Sequence, residues 1–154
     1  MDVAAEIRAA LGDEWLPAIY SAIRSQRTRS YKLEVAKREN APQIQYTLLG
    51  IELKVGRNRF ACPDLATARY LRVFARLGCT EFAIPYDIST ISGLADQLET
   101  AWQRSLFLIE TTVSLELQAA ALTKLVKAMR DEIMNIGPGE PMPLFDRETR
   151  QRGQ

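Results

Sequence analysis

The sequence predicts an α+β protein: an N-terminal helix, a three-stranded antiparallel meander, a helix, a fourth strand and a long C-terminal helical region. Near the N-terminus, and again over residues 88–136, apolar residues recur every three or four positions, as on one face of a helix. Between residues 31 and 62 they alternate with polar residues instead, which is typical of half-buried strands. The 154 residues suffice for one domain, which we assign to residues 1–137. Residues 138–154, rich in proline and charge, are expected to form a flexible tail.

The N-terminal helix covers the apolar series from Val3 to Ile23. Gly12 or Pro17 is expected to divide it into two helices, because either residue interrupts helical backbone. After a short basic run the period changes to strict alternation, which predicts the first strand over residues 31–35.

The next two strands are predicted from residue 44 to residue 62. The apolar positions of residues 44–55 change parity midway, and a β-bulge at Leu49-Gly50 would return both halves to one face of a single strand. Residues 56–58 then form a tight turn, and residues 59–62 return as the third strand of the meander.

The helix that follows has signals at both ends. Asp64 is placed to accept backbone N–H groups at its start, and Gly78 is placed to cap its end. Apolar residues fill one side of this helix at 100° per residue. Its other side carries three arginines, Arg69, Arg72 and Arg76.

The largely uncharged sequence of residues 80–85 predicts the fourth strand, and Asp87 or Ser89 is expected to cap the helix after it. The helical pattern over residues 88–136 is longer than a small domain is wide. A break at the β-branched residues 111–113 would give two helices that fold into a hairpin or kinked pair. The alternative is one continuous helix that pairs with a second subunit.

Composition excludes several kinds of site. The chain has no histidine and two cysteines, Cys62 and Cys79, which are too few for the usual zinc sites with three or four Cys or His ligands. Nucleophiles that histidine activates are excluded as well. We expect both thiols to be buried in a reducing compartment, and we expect no metal and no cofactor. No apolar run approaches the roughly 20 residues of a membrane span, and the first residues lack a secretory signal, so we expect a cytoplasmic protein with no membrane partner.

Positive charge is concentrated between Arg24 and Arg76. This block holds twelve basic and four acidic residues, a net charge of +8, whereas the whole chain carries +1, so that the remainder carries −7. Nine of the twelve cations are arginines, whose planar guanidinium group binds phosphate or carboxylate through two hydrogen bonds. We therefore predict a nucleic-acid-binding patch formed by Arg27, Arg29, Lys32, Arg57, Arg59, Arg69, Arg72 and Arg76.

A glutamate and a lysine alternate with apolar residues in the sequence Ile51-Glu52-Leu53-Lys54-Val55. This triplet, with the order helix, three strands, helix and strand over residues 1–86, resembles the core of the PD-(D/E)xK nucleases. The resemblance implies a magnesium-dependent nuclease in which Glu52 holds the metal and Lys54 steadies the attacking water or the phosphate. The aspartate that this family places on the preceding strand is missing here, and Glu34 or Glu39 would have to substitute for it.

Three functions therefore remain open. The first is a non-enzymatic protein that binds RNA or DNA through the basic patch. The second is a helical adaptor or homodimer built on residues 88–136, in which the acidic remainder of the chain covers the basic block. The third is the nuclease, with Glu52, Lys54 and Glu34 as its candidate catalytic residues. Three aromatic residues lie among the charges and are expected in the core, with stacking on unpaired bases as the alternative: Tyr31, Tyr46 and Phe60.

Overall fold

The structure is a computed structural model that describes residues 2–33 and 41–140. These residues form the predicted α+β protein, with five helices and antiparallel strands in two small sheets. The helices are α1 (Val3–Leu11), α2 (Leu16–Arg24), α3 (Leu65–Leu77), α4 (Ile91–Thr112) and α5 (Gln118–Ile136). The strands are β1 (Thr28–Lys32), β2 (Gln43–Thr47), β3 (Gly50–Val55), β4 (Asn58–Cys62) and β5 (Glu81–Pro85).

The three-stranded antiparallel meander is present, but it consists of β2, β3 and β4. The prediction that residues 31–35 form its first strand is wrong. Residues 31 and 32 belong to β1, which pairs with β5 in a separate two-stranded sheet, with Tyr31 opposite Phe82, and residues 34 and 35 lie outside the described residues. Alternation in a sequence identifies a strand but not its partner, because strands pair wherever their buried faces find a core.

The predicted β-bulge at Leu49-Gly50 is also wrong, because residues 44–55 form a hairpin and not one strand. Leu48 and Leu49 form its two-residue turn and are 105% and 99% exposed. The Thr47 hydroxyl accepts a hydrogen bond from the Leu49 N–H at 3.2 Å and donates one to the Gly50 carbonyl at 3.0 Å. The chain reversal therefore accounts for the change of parity that the bulge was meant to explain.

The helix ends follow the local signals in the sequence. Gly12, at a φ of 55°, ends α1, and Pro17 lies in the first turn of α2, so both predicted interruptions are found at one helix boundary. The Asp64 carboxylate accepts a hydrogen bond from the Thr67 N–H at 2.7 Å at the start of α3. Gly78 ends α3 in the left-handed conformation at a φ of 79°, which glycine adopts at little cost.

The long C-terminal pattern forms two helices, as the break at residues 111–113 predicts, and the alternative of one continuous helix is wrong. Helix α4 ends at Thr112, the extended Val113 follows it, and α5 begins at Gln118. Asp87 caps the short helical turn before α4 by accepting a hydrogen bond from the Ser89 N–H at 3.1 Å. Within the part of the chain that the structure describes, no helix is both long and apolar enough to cross a membrane.

The chain continues past the predicted domain boundary at residue 137. Glu140 forms a parallel bridge with Arg29 on the outer edge of β1. The Ser30 N–H donates to the Glu140 carbonyl at 2.6 Å, and the Glu140 N–H donates to the Thr28 carbonyl at 3.3 Å. The first residues of the predicted tail therefore pack against the domain, and the rest of that tail, residues 141–154, lies outside the described residues.

The core is centred on aromatic side chains from α2, α3 and β5. Phe74 and Phe82 stack with ring centroids 4.3 Å apart. The backbone of Ala83 in β5 is held by two buried tyrosines: its N–H donates to the Tyr20 hydroxyl at 2.8 Å, and its carbonyl accepts from the Tyr70 hydroxyl at 2.7 Å. These hydroxyls satisfy backbone groups of β5 that face away from β1, and burial raises the pKa of both tyrosines.

Candidate functional site

The arginines of α3 face α4. Both Nε and Nη2 of Arg69 donate to Glu99, with Nη2 lying 2.6 Å from Oε1, and Nη2 also donates to Asp96. Arg72 donates from Nη2 to the second carboxylate oxygen of Glu99 at 3.2 Å. Both acidic side chains belong to the acidic remainder of the sequence, so two cations of the basic block are paired within the chain.

Arg76 lies further along the same side of α3. Its guanidinium group sits over the ring of Trp102, 5.6 Å from the ring centroid. Burial lowers the pKa of Arg76, and the positive charge of Arg72 lowers it further. The prediction that the three arginines share one side of α3 is confirmed, and the contacts of all three are with α4. These contacts join two helices, and they leave these arginines less available to an anionic partner.

The basic residues in β1 and just before it lie in a different part of the fold. Arg27 is exposed and stacks over the Tyr86 ring, 4.8 Å from its centroid. Arg29 is half-buried in β1, where its backbone bridges to Glu140. Lys32 is exposed at the end of β1, opposite Glu81 on β5. This group belongs to the two-stranded sheet and not to the meander.

The remaining predicted residues lie on the meander. One of its faces carries the buried side chains of Leu53 and Val55 and packs against α3. The opposite face, which we call the outer face, carries the side chains of Gln43, Gln45, Glu52, Lys54, Arg59 and Ala61. Arg57 is exposed in the turn between β3 and β4. The outer face is therefore a polar sheet surface with a cationic end.

Two cations occupy directly opposite positions on the outer face. Lys54 on β3 is the register partner of Arg59 on β4, with Gln43 on the other side of Lys54. The one acidic side chain of this face, Glu52, lies diagonal to Arg59, and the Glu52 carboxylate is 3.6 Å from Arg59 Nη1. With Arg57 included, the cluster of Lys54, Arg57, Arg59 and Glu52 has a net charge of +2, because three cations accompany one anion.

The candidate catalytic residues of the nuclease do not form a metal-binding site within the described residues. Glu52 and Lys54 are two residues apart on β3, and the Glu52 carboxylate forms an ion pair with Arg59. Glu34 lies outside the described residues, as does Glu39. Within residues 2–33 and 41–140, no three His, Cys, Asp or Glu side chains are grouped so that they could hold a metal ion.

The cysteines are buried free thiols, as predicted. Burial raises the pKa of Cys79 to about 12 and also raises the pKa of Cys62. Neither thiol is therefore activated as a nucleophile at neutral pH, since the reactive species is the thiolate.

The aromatic residues differ in exposure. Tyr31 and Phe60 are half-buried against the core, which agrees with the prediction, and the Tyr31 ring lies 5.9 Å from that of Phe82. Tyr46 is 70% exposed, so the prediction that it is a core residue is wrong. Tyr46 lies on the same face of the sheet as the buried residues, as its parity predicts. However, β2 is an edge strand, and the core does not extend over the end of β2 that carries Tyr46.

A second feature of the meander was missed in the sequence. The Leu48-Leu49 turn projects two fully exposed leucines, and Tyr46 precedes it at the end of β2. The signal was the same change of parity that was assigned to a bulge. Leucines are not the residues that two-residue hairpin turns favour, so the composition of the turn itself gave no signal.

No protein-family model, no curated protein and no solved structure matches this chain.

Proposed function

We propose that this protein binds nucleic acid through the cationic end of the outer face, formed by Lys54, Arg57 and Arg59. The observation that supports this proposal is the direct cross-strand pairing of Lys54 with Arg59. Like charges at opposite positions of an antiparallel pair are destabilising, by a few tenths of a kcal/mol to about 1 kcal/mol. A row of phosphates along this face would convert that repulsion into favourable contacts.

The shape of the surface suits backbone contacts more than base reading. The outer face is an open strand surface, and the exposed guanidinium of Arg57 lies beside it in the turn. Gln43 and Gln45 add neutral hydrogen-bonding side chains to the same face. A surface of this kind recognises phosphate and sugar oxygens, so binding is expected to be independent of base sequence.

The proposal predicts a moderate dependence on salt. Three phosphate contacts give a slope of log K against log salt of about −2.7 on duplex DNA, and about −2 on a single strand. Between 50 and 200 mM salt the affinity for duplex DNA is therefore expected to fall about 40-fold. Fluorescence anisotropy with labelled oligonucleotides measures this directly.

Two variants that remove the same charge distinguish binding at the outer face from non-specific attraction of nucleic acid to positive charge elsewhere on the protein. The double variant Lys54→Gln/Arg59→Gln is expected to reduce the slope on duplex DNA to about −0.9, because one of three contacts remains. The control Arg27→Gln/Lys32→Gln removes the same charge from the other sheet and is expected to change the slope little. Binding that is absent, that ignores salt or that weakens equally in both variants would refute the proposal.

A second candidate function, an adaptor that acts through protein contacts, is favoured by a different observation. The exposed leucine turn and Tyr46 form an apolar surface at the end of the meander opposite to Arg57. Exposed apolar groups that lie together on a soluble domain often mark a protein interface. This surface does not coincide with the α4 and α5 helices that the sequence indicated for dimerisation.

A further inference from the structure

The two sheets have four edges in the part of the chain that the structure describes, and three of them are protected. Glu140 lies along the outer edge of β1 and hydrogen-bonds to the backbone of Ser30 and Thr28, and Gly139 packs closely against Thr28 and Arg29. Tyrosine hydroxyls satisfy the backbone of Ala83 on the outer edge of β5. β4 carries the charge of Arg59, which discourages a further strand.

The fourth edge, that of β2, has none of these protections. Its sequence, Gln43-Ile44-Gln45-Tyr46-Thr47, contains no charge and no proline. Among the described residues, no backbone hydrogen bond joins β2 to any element except β3. Alternate backbone groups of an edge strand face outward, and an uncharged edge of this kind is a template for another strand.

We propose that the β2 edge pairs antiparallel with β2 of a second copy of this chain, which joins two meanders into one six-stranded sheet. Such pairing is isologous, so each residue must be compatible with its counterpart across a two-fold axis. With the axis at Gln45, Ile44 lies opposite the partner's Tyr46, and Gln43 lies opposite the partner's Thr47. The strand is complementary to itself in this register.

The side-chain pairs in this register are favourable on both faces. A β-branched residue opposite an aromatic residue is a stabilising cross-strand pair, and here it would cover the exposed ring of Tyr46. On the outer face the opposed side chains are amides and hydroxyls, so no like charges meet. The absence of charge from β2 argues for a second copy, because a foreign strand selected by charge would need a charged counterpart here.

The dimer also places the leucine turns in contact with protein. In the antiparallel arrangement, each Leu48-Leu49 turn lies beside the residues that precede the partner's β2, where Pro42 is already buried. The paired sheet therefore covers both unexplained apolar features of the meander, the turn and Tyr46. It would also bring two copies of the outer face into one surface, but the pairing itself does not depend on nucleic acid.

A single row of the meander provides the test and its control. Gln45, Glu52 and Ala61 are cross-strand neighbours on the outer face, with Glu52 in the middle. Gln45→Lys places a lysine beside Glu52 in each subunit but opposes two lysines at the two-fold axis. Ala61→Lys adds the same charge beside the same Glu52, on the β4 edge. Within one subunit the two variants are therefore matched.

Sedimentation equilibrium is expected to give twice the 17.4 kDa chain mass for the wild type. Gln45→Lys is expected to weaken the dimer by up to about 5-fold, and Ala61→Lys is expected to leave it unchanged. Mixing Gln45→Lys with Gln45→Glu should restore it. A wild type that stays monomeric up to about 1 mM, equal effects of the two lysine variants, or a mixture that stays monomeric would overturn the proposal.

A second measurement does not depend on charge repulsion. Opposed residues of an antiparallel pair have Cα atoms about 4.5–5.5 Å apart, within the range that a disulfide spans. Mild oxidation of Gln45→Cys is therefore expected to give a covalent dimer, and Ala61→Cys is expected to give none. Cys62 and Cys79 are buried and do not compete. Failure of Gln45→Cys to cross-link, or equal cross-linking of both variants, would also overturn the proposal.

Discussion

Replacing Glu99 with glutamine is expected to weaken the contact between α3 and α4. The carboxylate accepts hydrogen bonds from Arg69 and Arg72 at distances between 2.6 and 3.2 Å. Glutamine has the same shape but no charge. After the substitution, Arg69 keeps its ion pair with Asp96, and Arg72 loses its ion pair with Glu99. The resulting loss of stability can be estimated from how exposed these groups are.

Removing one partner costs about 3–5 kcal/mol in a fully buried ion pair and about 0–1 kcal/mol in an exposed one. The side chains of Arg69 and Glu99 keep 22% and 26% of their full exposure, so this pair lies between the two limits. We expect Glu99→Gln to lower the free energy of unfolding by about 2 kcal/mol. At a urea dependence of about 2 kcal/mol per molar, the unfolding midpoint should fall by about 1 M.

The matched control is Asp131→Asn, which also neutralises one acidic side chain. Asp131 pairs with Lys127 one helical turn away, and both side chains are more than half exposed. Such pairs contribute about 0.3–0.5 kcal/mol, so this variant should shift the midpoint by about 0.2 M. Equal midpoints for Glu99→Gln and Asp131→Asn would refute the reasoning, because the α3–α4 pairs would then behave as exposed ones.

The effect of Glu99 should also depend on pH. Burial alone would raise its pKa, but the hydrogen bonds and charges of Arg69 and Arg72 together hold the pKa below its ordinary value of 4.5. The folded state therefore binds this proton more weakly than the unfolded state. The stabilisation is complete well above pH 4.5 and is lost as the pH falls through the lower, folded-state pKa. The difference between wild type and Glu99→Gln should accordingly shrink in acid.

Two further substitutions test the protected edges by urea unfolding. Gly139→Ala places a Cβ about 2.7 Å from atoms of β1, and this overpacking is expected to cost about 1–3 kcal/mol. Gly93→Ala is its control, because nothing lies within 4 Å of that Cβ, and it should be neutral or slightly stabilising; equal losses would contradict the close packing. Tyr70→Phe leaves the Ala83 carbonyl without its hydroxyl donor and should cost about 1–2 kcal/mol. Tyr46→Phe, at an exposed position, should change stability by less than about 0.5 kcal/mol, and a Tyr70→Phe variant as stable as this control would contradict the proposed role of the hydroxyl.

The helices could be predicted closely because their signals are local. A capping carboxylate such as Asp64 and a left-handed glycine such as Gly78 act within one turn of the residues they cap. The break after Thr112 likewise depends on neighbouring β-branched residues. In each case the residues that determine the structure are adjacent in the chain.

The strands show where local reasoning fails. Alternation located β1 and the meander, but β1 pairs with β5 some fifty residues later. The parity change at Leu49-Gly50 fits a bulge and a turn equally well in one dimension. The exposure of Leu48 and Leu49 decides for the turn, and exposure depends on which elements cover that end of the sheet.

The same distinction applies to the candidate site. The sequence by itself determined the α+β class, the helix boundaries and the shared side of the three α3 arginines, because these properties follow from neighbouring residues and from the period of the apolar positions. Only the tertiary structure decided that Arg69 and Arg72 pair with Glu99 and that Lys54 and Arg59 lie opposite each other on an exposed sheet face. The physical reason is that a charge is neutralised or left exposed by what lies near it in space, and those neighbours come from other strands and helices.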